Sequence, residues 1–216
     1  MRYVLFDFDG TIANTLVLAL DIYNSIASKY HVVPVQKEDV PLLRAQRPQE
    51  LLKKYKIGPL KLPFLLMRMR SEIKSKIADV EPISGMPEAL EAIKDKGYRL
   101  GIVTSNSSDN VKRFLVKHHM ETWFDFVYSG MNILGKERVM SRLLTEKNIE
   151  KSTSVYVGDE IRDIEASKRM RIPVIAVTWG YNSHDALEKA HPTHVARNPS
   201  ELLDCIDKIF GGDITI

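Results

Sequence analysis

The sequence predicts an α/β fold: a three-layer α/β/α, Rossmann-like core around a parallel sheet, with a small all-helical cap domain inserted after the first strand. Short, nearly continuous apolar runs alternate with segments of helical periodicity, which is the order of a parallel sheet covered on both faces. One long stretch between the first and second runs has helical patterns and no clear strand pattern. We therefore expect a core of residues 1–14 and 82–216 and a helical cap of residues 15–81.

Five apolar runs are predicted strands, and the last of them is the weakest. They are residues 4–6, 99–104, 154–157, 174–178 and 193–196. The first three end in clusters of polar residues or glycine, as strands that run into loops do. Because ligands of open parallel sheets bind outside the carboxyl ends of the strands, we expect the functional site at these clusters.

Helical patterns occupy the intervals between these runs. In the core they cover residues 87–96, 109–118, 137–147 and 161–170, and in the cap residues 16–30, 48–56 and 60–78. Gly97 ends the first core helix, and Ser107 or Ser108 can cap the second at its N-terminus. In the cap, Pro41 is interpreted as a turn signal, and residues 81–85 as the linker back to the core.

Composition describes an ordinary globular protein of 216 residues, with 44% hydrophobic and 27% charged side chains. A net charge of +3 is too small to indicate a nucleic-acid partner, and no apolar run approaches a membrane span. The first residues lack a secretory signal, and the single cysteine, Cys205, excludes an intramolecular disulfide. We expect a soluble, cytoplasmic monomer or weak homodimer with no nucleic-acid or membrane partner.

Asp7 and Asp9 follow the first run, with Gly10 and Thr11 behind them. Side chains two apart on a strand share a face, and two carboxylates emerging together need a positive partner. A turn cap explains one aspartate, whereas a bound Mg²⁺ explains both. If Asp7 attacks phosphorus, Asp9 can protonate the leaving alcohol and later deprotonate water. Asp7 raises the pKa of Asp9 and a metal lowers it, and the sequence leaves the balance open.

Thr104, Ser105 and Asn106 end the second run. A hydroxyl and main-chain N–H groups at the start of a helix form an anion site, although helix capping explains them equally simply. Gly10 permits close approach of the main chain to a phosphate, and Thr11 either orients Asp7 or caps the next helix.

Lys136 precedes a helix, where it is either a surface lysine or a charge that neutralises a phosphoryl group. Asp159 follows the third run and should reach the same crevice as Asp7. Asp163 lies one helical turn further, a position suited to ordering waters or Lys136. Glu160 is interpreted as an acid of the first helical turn.

Arg44 and Arg47 occupy a predicted turn that leads into a cap helix. Arginine binds carboxylates and phosphates in a bidentate manner. One hypothesis is that one of these side chains contacts a distal anion of the substrate, and the alternative is that both are solvated.

These segments together resemble the haloacid dehalogenase-like hydrolase superfamily over nearly the whole chain. Four motifs carry the resemblance: D-x-D-G-T at residues 7–11, a hydroxyl at Thr104 with Ser105 and Asn106 behind it, the lysine Lys136, and G-D-x-x-x-D at residues 158–163. Within the superfamily the chain is similar to the phosphoglycolate phosphatase and beta-phosphoglucomutase branch, which has a helical cap of the C1 type.

The resemblance implies a phosphatase acting on a small phosphorylated metabolite through an aspartyl-phosphate intermediate. Asp7 would be the nucleophile and Asp9 the acid and base, with Thr104 and Lys136 completing the catalytic set. Magnesium would be held by Asp7, by Asp159 and by the main-chain carbonyl of Asp9. A phosphomutase on the same core, or a non-catalytic protein that binds a phosphometabolite, remains an alternative.

Overall fold

The computed structural model describes residues 1–46, 48–130 and 135–211. In this part of the chain the strands are β1 (Tyr3–Phe6), β2 (Arg99–Thr104), β3 (Phe126–Ser129), β4 (Ser154–Gly158), β5 (Val174–Val177) and β6 (His194–Ala196). These six form one sheet in the order β3-β2-β1-β4-β5-β6, and every pairing is parallel. The predicted α/β class with a parallel sheet is therefore confirmed.

Helices cover both faces of this sheet. The core helices are α5 (Met86–Asp95), α6 (Ser108–Lys117), α7 (Lys136–Glu146), α8 (Ile161–Met170), α9 (His184–Glu188) and α10 (Leu202–Gly211). Successive side chains of a strand point to opposite faces, and β1 shows this directly. Val4 and Phe6 pack in the apolar cluster that includes residues of α5, α6 and α10, and Leu5 packs in the cluster that includes α7 and α8.

Among the described residues, four α-helices lie between β1 and α5 and form the part that we call the helical insertion. They are α1 (Thr15–Ala27), α2 (Val40–Ala45), α3 (Pro48–Lys54) and α4 (Leu62–Lys76). The insertion has a small apolar cluster of its own, which includes Tyr23, Ile26, Tyr55 and Leu65. The sequence analysis took α2 for a turn because of Pro41. In the structure this proline lies in the first turn of α2, where the missing N–H costs no helical hydrogen bond.

The two ends of the helical insertion run side by side where they join the core. The Asn14 N–H donates to the Glu81 carbonyl at 3.0 Å, and the Ile83 N–H donates to the Ile12 carbonyl at 2.8 Å. An isolated antiparallel bridge lies between these two hydrogen bonds. The outgoing and returning connections therefore form one narrow, hydrogen-bonded neck.

Strand β3 was not predicted, and the argument that Asp7 and Asp9 share a face treated them as part of the first strand. Phe126 to Tyr128 are only half-buried at the edge of the sheet, so the apolar signal of β3 is weak. β1 ends at Phe6, so Asp7 and Asp9 lie beyond the strand rather than on it. Cys205 is buried. Among the described residues, no helix combines the length and apolar character that crossing a membrane requires.

Candidate active site

Asp7 is the first residue after β1, and its place is fixed by the neighbouring strand β4. Its main-chain N–H donates to the Val157 carbonyl at 2.8 Å, which extends the ladder by one residue. Its side chain is almost fully buried, at 3% exposure. One carboxylate oxygen, Oδ1, accepts from the Phe8 N–H at 2.8 Å, and Oδ2 accepts from Lys136 Nζ at 2.7 Å.

Lys136 begins α7 and brings a buried ammonium group to Asp7. The same Nζ also donates to Asp163, so one lysine joins two carboxylates. It also lies over the Tyr156 ring, 5.0 Å from the ring centre, a distance at which a cation–π interaction forms. Burial by itself lowers the pKa of Lys136, but the charges of Asp163 and Asp7 more than offset it and hold the pKa well above its usual range. Lys136 is therefore charged in this site.

Asp159 follows β4 directly and lies beside Asp7, because β1 and β4 are paired with Phe6 opposite Val157. Its Oδ1 accepts from the Thr11 hydroxyl at 2.8 Å and its Oδ2 from the Tyr181 N–H at 2.6 Å. Burial first, and then neighbouring carboxylates, raise the pKa of Asp159 well above its usual range. An ionised Asp159 is costly here without a further positive charge.

The carboxylates of Asp7, Asp159 and Asp163 form a buried acidic cluster. One oxygen from each lies within 4.8 Å of the others. The Lys136 ammonium balances part of this negative charge. The side-chain atoms that could bind a metal ion are all carboxylate oxygens. This donor set fits a hard divalent cation, which prefers carboxylate oxygens. The expected set was Asp7, Asp159 and the main-chain carbonyl of Asp9. The structure brings the carboxylates of Asp7 and Asp159 together with that of Asp163, and the Asp9 carboxylate binds Asn106 instead.

Asp9 is held by Asn106 at the end of β2. The Asn106 side-chain amide donates to both carboxylate oxygens of Asp9, at 3.1 Å each. Burial and the charge of Asp7 raise the pKa of Asp9 to about 6, although the Asn106 hydrogen bonds act to lower it. Asp9 can therefore gain and lose a proton near neutral pH.

The end of β2 forms a tight turn around Asn106. The Thr104 hydroxyl oxygen accepts from the Asn106 N–H at 3.0 Å, so its own hydrogen is free to donate elsewhere. The Asn106 carbonyl accepts from the Ser129 hydroxyl at 2.6 Å, and Ser105 is half-buried. The next helix is capped by Ser107, whose Oγ accepts from the Asn110 N–H at 3.2 Å. The structure thus gives Asn106 the role of a partner to Asp9.

Glu160 and Asp163 together form the N-terminus of α8. The Glu160 N–H donates to Asp163 Oδ2 at 3.1 Å, and the Glu160 carboxylate pairs with Arg162. Burial raises the pKa of Glu160 to about 7. A Cβ at Gly158 would overlap the Asp163 carboxylate, so only glycine leaves room for that side chain.

Gly10 carries the chain away from Asp9 in the left-handed region, with φ at +78°. A Cβ there would also overlap Asp159 Oδ2 and the ring of Tyr181. A Cβ at Gly180 would overlap the Asp159 carboxylate in the same way. Two glycines therefore let the main chain pack directly on Asp159.

Arg44 lies in α2 of the helical insertion, and its guanidinium group contacts the core. Nε donates to the Gly180 carbonyl at 3.0 Å, and Nη2 donates to the Thr178 carbonyl at 2.7 Å. The Arg44 carbonyl in turn accepts from Asn182 Nδ2 at 3.1 Å and from the Ser183 N–H at 2.7 Å. These contacts tie the insertion to the loop after β5. Arg47 lies outside the described residues.

Residues 178–182, in the loop after β5, also contribute to the site. The Tyr181 N–H binds Asp159, and Asn182 Oδ1 accepts from the Ile161 N–H at 2.9 Å, which caps α8. The Trp179 indole donates to the Thr11 carbonyl at 3.0 Å. Gly180 was the available signal, because a glycine between two aromatic residues marks a close approach of the main chain.

Comparisons with known proteins agree with this arrangement. A family model described as haloacid dehalogenase-like hydrolase matches residues 4–177. A phosphoglycolate phosphatase of Synechococcus elongatus is 29% identical over 97% of this chain and 99% of its own length. Pyrophosphatase PpaX of Bacillus mycoides is 24% identical over 96% of this chain and 98% of its own length.

A solved structure shares the fold. It is a haloacid dehalogenase-like family hydrolase from Streptococcus pneumoniae, with a TM-score of 0.82 and 18% identity over 95% of this chain and 98% of that one. The match of the family model covers most of the chain, including β1 and β4 and the residues Asp7 and Asp159 that follow them. The chain therefore belongs to the haloacid dehalogenase-like hydrolases.

Proposed function

We propose that this hydrolase is a magnesium-dependent phosphatase that acts on a small phosphorylated metabolite through an aspartyl-phosphate intermediate on Asp7. The names of the two curated relatives support phosphatase chemistry. One observation carries the proposal, namely the contrast between two acids beyond the same strand. The Asp7 carboxylate faces the Lys136 ammonium at 2.7 Å, whereas the pKa of Asp9 is raised to about 6. That contrast suits a nucleophile beside a proton carrier.

Each step is assigned to residues of this chain. A carboxylate oxygen of Asp7 attacks phosphorus while the bond from phosphorus to the alcohol oxygen breaks, and Asp9 gives its proton to that oxygen. Water then attacks the phosphorus of the aspartyl phosphate and loses a proton to Asp9. The bond to Asp7 breaks, and inorganic phosphate leaves. Lys136 and the free hydroxyl hydrogen of Thr104 supply charge and a hydrogen bond to the phosphoryl oxygens.

The acidic cluster supports a cation as the remaining component. Asp7 and Asp159 would hold Mg²⁺, with the Asp9 main-chain carbonyl as the resemblance implies, and Asp163 would hold Lys136 in place. When bound, the ion supplies positive charge that neutralises the phosphoryl group. Chelation with EDTA should stop hydrolysis and Mg²⁺ should restore it; activity that survives full chelation would remove the metal from the proposal. Beryllium or aluminium fluoride with Mg²⁺ should inhibit as phosphoryl mimics.

The nucleophile is tested by Asp7→Asn, with the exposed Asp21→Asn on α1 as the matched control. Hydrolysis of p-nitrophenyl phosphate should fall to background in Asp7→Asn and stay unchanged in Asp21→Asn. Circular dichroism should show that both variants are folded. Wild-type turnover in Asp7→Asn would refute the nucleophile assignment. Measuring released inorganic phosphate across a phosphometabolite panel separates hydrolysis from phosphomutase activity.

We also infer that the helical insertion acts as a cap over the site. The neck at residues 12–14 and 81–83 and the Arg44 hydrogen bonds support a division into a core of residues 1–14 and 82–216 and a cap of residues 15–81. A monomer or weak homodimer in the cytoplasm remains our expectation. Sedimentation at increasing protein concentration tests the oligomeric state, and cell fractionation tests the location in the cytoplasm.

A further inference from the structure

A cavity of about 300 Å³ lies between the helical insertion and the loops that follow β4 and β5. All four helices of the insertion contribute to its walls, and Glu160, Tyr181 and Asn182 contribute from the core. Most of its lining side chains are apolar, among them Leu16, Leu20, Leu43, Leu51 and Met69. At roughly 30 Å³ per water molecule it has room for about ten waters, which is more than a two-carbon group such as glycolate occupies.

Tyr181 connects this cavity to the reacting residues. Its side chain lines the cavity, and its N–H donates to Asp159 at 2.6 Å. A Cβ placed on Gly10 would come within 2.6 Å of a Tyr181 ring carbon, so the ring packs directly against the residue after Asp9. Tyr181 therefore belongs both to the wall of the cavity and to the residues that pack around Gly10, next to Asp9. A phosphomonoester with its phosphate at Asp7 could place its alcohol part in the cavity.

The charges around the cavity disfavour an anionic alcohol part. Among the described lining residues, Arg44 is the one cation. Its Nε and Nη2 already donate hydrogen bonds to the carbonyls of Gly180 and Thr178. Glu160 lies on the same wall, and its carboxylate is paired with Arg162. A carboxylate in this space would lose water and gain mostly apolar neighbours beside a cation that already binds two main-chain carbonyls, which is unfavourable.

Two polar atoms of the wall have unmet hydrogen-bonding needs. Gln46 Oε1 and the Tyr55 hydroxyl oxygen are buried, and within the described part of the chain neither has a hydrogen-bond partner. Leaving a buried acceptor unsatisfied is costly, and a ligand that carries a single hydroxyl or N–H group would relieve the cost. The cavity therefore has the form of a ligand site with mostly apolar walls and two unpaired polar groups.

We propose that this cavity binds the alcohol part of the substrate, and that this part is largely apolar, larger than glycolate and without a second anion. The inference rests on the proposed phosphatase function. It narrows the substrate class to phosphomonoesters of uncharged aliphatic or aromatic alcohols.

A series of n-alkyl phosphates from ethyl to hexyl tests the proposal, because the leaving alcohols differ little in chemistry. We expect kcat/KM to rise about three- to fourfold for each methylene that enters the cavity. Phosphoglycolate should be a poorer substrate than hexyl phosphate. A flat series in the wild-type protein, or a preference for phosphoglycolate, would overturn the inference while leaving the phosphatase proposal intact.

Two substitutions on one helix locate the effect. Ala19→Phe on α1 fills the cavity and should flatten the series. Val17→Phe, on the same helix but 60% exposed and away from the cavity, should keep the wild-type series. If Ala19→Phe does not fold, Ala19→Met makes the same test with less added volume. An equal rise in the cavity-filling variant and the wild type contradicts the proposal.

Binding of alkylphosphonates, which cannot be hydrolysed, separates the two proposals completely. Titration calorimetry in the presence of Mg²⁺ should show tighter binding of hexylphosphonate than of ethylphosphonate to the wild-type protein. That difference supports the cavity even if no phosphate ester is turned over, a result that would refute only the phosphatase. Equal affinities for the two phosphonates would refute the cavity assignment.

Discussion

The side-chain amide of Asn106 lies 3.1 Å from both carboxylate oxygens of Asp9. These hydrogen bonds lower the pKa of Asp9, while burial and the charge of Asp7 act in the opposite direction and bring it to about 6. The two residues lie beyond neighbouring strands, β1 and β2. The loop after β2 therefore adjusts the acidity of a group that belongs to the loop after β1.

Asn106→Ala should raise the pKa of Asp9 further, because the carboxylate loses its amide donor. If Asp9 protonates the leaving alcohol, the basic limb of the kcat/KM profile moves to higher pH. The direction of this change does not depend on the metal, since both proteins carry it. Ser129→Ala is the control, because it removes only the hydrogen bond to the Asn106 carbonyl. Superimposable pH profiles for wild type and Asn106→Ala would exclude this coupling.

The raised pKa of Asp9 also predicts how the stability of the metal-free chain depends on pH. A carboxyl group whose pKa is higher in the folded state binds its proton more tightly there, so the ionised form destabilises the fold. Its unfavourable contribution should grow as the pH rises from 3.8 to about 6 and stay constant above that range. Urea unfolding with EDTA should show wild type losing stability relative to Asp9→Asn over this window. Parallel curves for the two proteins would contradict the prediction.

Lys136→Met should destabilise the protein by about 3–5 kcal/mol, because it leaves the carboxylates of Asp7 and Asp163 buried without their partner. Arg142→Met is the control, since it breaks an exposed pair with Glu146 and should change stability little. Adding Asp163→Asn to Lys136→Met should restore part of the loss. Urea unfolding measures all three, and additive effects in the double variant would argue against direct coupling.

Gly180→Ala should weaken metal binding, because its Cβ would overlap the Asp159 carboxylate and displace it. We expect a higher Mg²⁺ concentration for half-maximal activity and a smaller rise in unfolding temperature on adding Mg²⁺. Gly58→Ala adds the same methyl group where nothing lies within 4 Å, so it is the matched control. An unchanged Mg²⁺ dependence in Gly180→Ala would show that Asp159 is not a ligand.

Arg44→Ala distinguishes the two roles considered for this residue. The guanidinium group donates hydrogen bonds to the carbonyls of Thr178 and Gly180 and so holds the insertion against the core. Because this contact does not involve the substrate, we expect kcat/KM to fall by a similar factor for every substrate. Arg44→Lys should not restore it, since an ammonium group lacks the planar fork that reaches both carbonyls. Arg68→Ala, which breaks a surface pair with Glu72, should be neutral. A fall confined to substrates with a second anion would instead support direct contact of Arg44 with the substrate.

The sequence could predict which side chains approach one another wherever the topology requires it. Parallel strands end at one edge of the sheet, so Asp7 and Asp159 had to be neighbours once two runs were recognised as adjacent strands. Lys136 could be placed near them only through the order of the motifs, because its direction depends on how α7 packs on the sheet.

Other contacts depend on main-chain groups and loop conformations, which cannot be predicted from the residue types. The Tyr181 N–H that binds Asp159 is a main-chain group, which any residue in that loop would supply. The partners of Arg44 depend on α2, which the sequence analysis missed because a proline in a first helical turn resembles a turn signal. The pairing of Asn106 with Asp9 depends on the loop conformation after β2, where helix capping and anion binding require the same residue types.

The neck formed by residues 12–14 and 81–83 has a consequence for how such a chain can be altered. The outgoing and returning connections are hydrogen-bonded to each other at this neck. The whole insertion can therefore be exchanged for another segment whose two ends lie equally close, without a change in the register of the sheet. A chimaera of this kind would inherit its hydrolytic machinery from one parent and its choice of alcohol from the other. Under the proposed function, substrate selectivity would therefore reside in a segment whose two covalent connections to the core both pass through this neck.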